Sequence, residues 1–94
     1  MRAAYLHRQR IALIRDEDLP PLSSFFEVRC RDISQGGFSF DSPVYPNEPA
    51  LVVALGTAPP YNYVVAQIMH VTPAVTEGQK SFIVGCKFTE RVAY

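Results

Sequence analysis

The sequence predicts an all-β fold, a small closed barrel of about six antiparallel strands with no long helix, and three observations carry that prediction. Apolar residues recur with the two-residue period of a strand rather than the helical one, as in Phe26-Glu27-Val28-Arg29-Cys30-Arg31. Glycine and proline cut the chain into segments of strand length. The 94 residues, 48% hydrophobic and 19% charged, suffice for one core that needs neither disulfides nor metal to hold it.

The elements follow in order. Residues 11–14 form a first short apolar strand, and the acidic residues and Pro20-Pro21 of 15–21 mark a loop. Residues 25–33 make the clearest half-buried strand, with Phe26, Val28 and Cys30 on one face and Glu27, Arg29 and Arg31 on the other. Gly36-Gly37 turns the chain, and 37–41 resumes as a strand with Phe38 and Phe40 on one side. Pro43, Pro46 and Pro49 force a loop before the continuous apolar run 50–55, which Gly56 and Pro59-Pro60 stop. Residues 61–75 are long enough for a bent strand at a barrel corner, with Pro73 ending its regular pairing. The last strand, 80–89, places Phe82, Val84, Cys86 and Phe88 on one face. The chain therefore divides into a basic arm, 1–10, and a barrel, 11–94.

Charge and cysteine content exclude several classes. Lys+Arg and Asp+Glu are both 9, so no net field draws the chain to a nucleic-acid polymer or an anionic membrane, and any anionic ligand must be held by a local cluster. Cys30 and Cys86 belong to no metal-ligand spacing and lie on the apolar faces of their strands, where they act as small core residues. His70 has no carboxylate or cysteine beside it in sequence and reads as structural. The N-terminal stretch lacks the apolar segment of a secretory signal, and no apolar run reaches the roughly 20 residues of a spanning helix. A soluble, cytoplasmic setting is expected.

Chemistry concentrates in Asp32-Ile33-Ser34-Gln35-Gly36-Gly37, where a charged strand turns. Asp32 and Ser34 are two apart and project to one face of extended chain, while Gly37 permits a close backbone approach. A carboxylate can accept from guanine N–H groups, and a hydroxyl with turn amides can hold a phosphate oxygen. The bland reading is a turn in which the side chains satisfy local amides.

At these residues the chain resembles the PilZ domain family: Asp32, Ser34 and Gly37 match its D/N-x-S-x-x-G motif, and Val84-Gly85-Cys86-Lys87-Phe88 looks like its closing strand. The resemblance spans nearly the whole chain. It implies a six-stranded barrel that binds cyclic di-GMP between this motif and an Arg-x-x-x-Arg pair ahead of the first strand. The chain departs from that pattern, since no two arginines lie four apart before Ile11: counting back from Arg10 reaches Leu6, and from Arg8 reaches Ala4. Arg8 and Arg10 are the remaining candidates for the ligand's guanine edges and phosphates, with Arg2 and His7 as further charge and Arg29 and Arg31 beside the motif.

No catalytic constellation stands out. Ser34, His70 and Asp32 lack any arrangement that puts the imidazole between the other two, and no nucleophile elbow occurs. The expectation is a binding module that is not an enzyme and carries no cofactor. Two functions remain open: a cyclic di-GMP receptor using Arg8, Arg10, Asp32, Ser34 and Gly37, or a protein-interaction module that has lost the nucleotide. Tyr61 and Tyr63, beside Pro59-Pro60, offer an aromatic edge for such a protein partner.

Overall fold

Strand formation follows the two-residue alternation, because each strand buries one set of side chains and leaves the other to solvent. A computed structural model describes residues 8–16, 18–56 and 59–94. In chain order the strands are β1 (Arg8–Ile14), β2 (Phe26–Ile33), β3 (Gly37–Ser42), β4 (Ala50–Leu55), β5 (Asn62–Thr76) and β6 (Gln79–Val92). They close into an antiparallel barrel in the order β1-β2-β3-β6-β5-β4, with β4 returning to pair with β1. A three-residue 3-10 turn, Leu22–Ser24, is the helical element among the described residues, and none of their helices is long and apolar enough to cross a membrane.

Inward-facing positions fill the barrel. Ile11, Val28, Cys30, Phe38, Phe40, Leu51, Val53, Ala66, Val84 and Cys86 form one cluster, and Phe38 stacks on both Phe40 and Phe88 with ring centres 5.5 and 5.7 Å apart. The expected inward face of β6 holds for Val84 and Cys86, which are buried, with Phe88 packed against the same cluster. The cysteines are free thiols inside this core.

The continuous apolar run of β4 has a second cause. Leu51 and Val53 point into the barrel, while Val52 and Ala54 point outward under a smaller cluster with Ala12 and Phe25, against which Tyr61 and Tyr63 pack. Both faces of β4 are therefore buried, which removes the polar alternation. Phe25 belongs to this outer cluster and precedes β2, whereas Phe26, expected on the buried face, is 46% exposed at the strand's first position.

Two further expectations need correction. β1 begins at Arg8, not at Ile11, because Gln9 turns inward and is buried in line with Ile11, so the alternation includes a polar residue. Pro73 does not end pairing: it stands opposite Phe82, and the β5–β6 ladder runs on to Thr76 and Gln79. β4 pairs with β5 only over Asn62–Leu55 to Gln67–Ala50, so at Pro73 the strand has a neighbour on one side alone. Proline's missing N–H is tolerated on such an edge.

Candidate functional site

A bulge in β2 creates the site. Cys30 pairs with Phe40 but Asp32 pairs with Ser39, so Arg31 is an extra residue and the strand's facing resets after it. Asp32 thereby lies exposed beside Ser39, while Ile33 packs against the barrel core opposite Phe38. The Cys30 thiol donates to the Asp32 carbonyl at 3.6 Å, bridging the bulge from within. Arg31 turns away along β3, where its Nη1 donates to Asp41 Oδ1 at 3.0 Å.

The β2–β3 turn is pinned at two points. Ser34 N–H donates to the Gly37 carbonyl and Phe88 N–H to the Gly36 carbonyl, each at 2.9 Å. The Ser34 amide is thus spent within the turn, leaving the hydroxyl as that residue's group for a ligand. Gly37 sits so close to β6 that a Cβ there would collide with the Cys86 carbonyl oxygen, so this crossing requires glycine.

Above this turn lies an open cleft of about 300 Å³ on the barrel's outer wall, and Asp32, Ser34 and Gly37 all line it. Three of the five sequence-derived candidates therefore converge. Its other walls come from β5 and β6, through Met69, His70, Gly85 and Lys87. A single cross-strand row, Asp32 to Ser39 to Gly85 to His70, runs through it over β2, β3, β6 and β5. Three strand spacings separate the ends of that row, roughly 14 Å along the sheet. The two middle residues are small, and the His70 side chain reaches over the nearer of them, Gly85. Lys87, exposed, stands opposite Gly37 and brings a cation to the same cleft.

Arg8 and Arg10 are not among the residues lining the cleft. Both are exposed on β1, where Arg8 pairs with Arg29 and Arg10 with Glu27. Arg10 Nη2 donates to the Phe25 carbonyl at 3.3 Å, at the end of β2 opposite to Asp32. Arg2 and His7 fall outside the described residues. His70 and Lys87 join the site without having been singled out for it: Lys87 through the β3–β6 register, and His70 through a second bulge, at Met69, where the β5–β6 register shifts between Ile68 and His70.

A second concavity, of about 450 Å³, lies where Pro59, Pro60, Tyr61 and Tyr63 meet the C-terminal Ala93 and Tyr94. Tyr63 packs edge-on against Phe25 and Tyr94, with ring centres 5.8 and 4.7 Å apart, and the Tyr94 hydroxyl donates to the Pro20 carbonyl at 2.7 Å. Burial and the neighbouring Tyr63 hydroxyl push the Tyr94 phenol upward. The expected aromatic edge is thus partly spent on holding the chain's end against the barrel.

No family model, curated protein or solved structure matches the chain.

Proposed function

We propose that the chain is a PilZ-type module that binds cyclic di-GMP in the bacterial cytoplasm and performs no catalytic step. The observation that carries this reading is the convergence of Asp32, Ser34 and Gly37 on one open cleft of the outer wall. A carboxylate at one end accepts from the Watson–Crick edge of a guanine. The Ser34 hydroxyl and the Lys87 ammonium, on either side of Gly37, meet a phosphate.

The arginines enter this reading differently from one another. Arg8 lies three positions from Asp32 along the β1–β2 ladder, and Arg10 five, so Arg8 is the nearer cation and Arg10 must give up the Phe25 carbonyl to take part. That engagement of Arg10 supports the second reading, a protein-interaction module without nucleotide, which would use the barrel's aromatic end around Tyr61 and Tyr63.

Calorimetric titration with cyclic di-GMP, with GTP as control, separates the two. Saturable binding at micromolar Kd or tighter is expected, about −8 kcal/mol. Asp32→Ala should cost about 1.5–3 kcal/mol, the range for a lost charge-assisted hydrogen bond. Arg8→Ala should weaken binding more than Arg10→Ala. Absence of heat and of thermal stabilisation at millimolar ligand would overturn the receptor reading in favour of the second.

A further inference from the structure

His70 and Lys87 belong to strands that carry none of the motif residues, yet both line the motif's cleft. His70 is exposed, and the bulge at Met69 sets it opposite Gly85. Its ring lies directly over that glycine: a Cβ built on Gly85 would stand 2.5 Å from both Cε1 and Nε2 of the imidazole. The outer edge of the imidazole therefore occupies, at the floor of the cleft, space that any other residue at position 85 would fill. The ring is thus backed by β6 at Gly85 while the residue stays exposed to the open cleft.

An exposed imidazole backed by a neighbouring strand suits stacking against a nucleobase, and histidine serves that role on unstacked RNA bases. Lys87 lies two residues along β6 from Gly85, on the same side of the strand and opposite Gly37. It is a cation about 7 Å from the ring's backing residue, the reach from a base to its phosphate. From this arrangement we infer that β5 and β6 supply a second clamp, in which His70 stacks on a purine and Lys87 neutralises its phosphate. The inference rests on the nucleotide-binding reading above and assigns the grip that β1 does not bring to the cleft. Asp32 then faces the edge of the base whose face His70 covers.

The test is calorimetric titration of the full chain with cyclic di-GMP, for wild type and for His70→Ala, His70→Phe, Lys87→Ala and Gly85→Ala. The expected result is a loss of at least tenfold in His70→Ala, with His70→Phe within about threefold of wild type, since a phenyl ring keeps the stacking face. Lys87→Ala should weaken binding and flatten its dependence on salt. Gly85→Ala, which displaces the ring, should weaken wild type but leave the His70→Ala variant unchanged, a coupling that general damage to the barrel does not produce. Wild-type binding with His70→Ala and Lys87→Ala both within twofold overturns the clamp and leaves the receptor reading standing. Loss in His70→Phe equal to that in His70→Ala overturns the stacking role. Absence of wild-type binding overturns the clamp together with the reading it rests on.

Discussion

Cys30 and Cys86 show how a buried residue acquires a chemical consequence. Burial pushes their thiols up from the ordinary 9.0 to about 11 and about 12, because the thiolate loses its hydration inside the barrel. Below pH 9 both the folded and unfolded chains hold these protons, and the cysteines' contribution to stability is whole. Above it the unfolded chain ionises first, so that contribution is lost as pH rises through about 11 and about 12. Urea midpoints taken from pH 8 to 11 should fall, and Cys86→Ala should show the shallower fall; parallel curves for the two proteins would contradict this. At pH 8, iodoacetamide should label neither thiol until the barrel unfolds. At this scale Asp32, Ser34 and Gly37 were legible because their proximity is local, set within six residues of chain around one turn. His70 and Lys87 were not, since nothing in their own neighbourhoods encodes the β5–β6 and β3–β6 registers that bring them to that turn.

Strand boundaries record the same division between local and distant causes. The limits of β4 were readable because proline and glycine flank an apolar run, and a strand buried on both faces has no other signature. The start of β1 was not, because the inward residue there is Gln9, which breaks the apolar pattern without breaking the strand. β5 and β6 turn through Glu77-Gly78, with φ of 52° and 77°, so both central residues lie in the left-handed region that a tight hairpin demands. Gly78 adopts it freely, whereas Glu77 carries a Cβ penalty of roughly 1 kcal/mol. Asparagine tolerates this region better, so Glu77→Asn should stabilise the protein by about 0.5 kcal/mol, seen as a higher urea midpoint at unchanged slope. A midpoint below that of wild type would mean that Glu77 has interactions worth more than its strain.

For the molecule as a whole, closure is the decisive property, and it depends on β1 meeting β4 across the chain's middle. Length, alternation and breaker spacing pointed to it because six short strands with one apolar face each have few other ways to cover both edges. The bulges at Arg31 and Met69 that shape the cleft were beyond the sequence, since each is settled by how neighbouring strands fit and not by the residues that bulge. One hairpin also extends beyond the closed barrel. Past Gln67, β5 has left β4 behind and keeps β6 as its partner, so the far end of this hairpin projects as a two-stranded ribbon with Val75 72% exposed. A row of backbone groups there would be a template for strand addition by another molecule, and Pro73 interrupts it, as prolines on open edges do. The proline that resembles a strand terminator in the sequence is then a guard against polymerisation. Pro73→Val restores the template, and sedimentation at rising concentration should reveal a larger share of dimers and higher species than the wild-type protein shows.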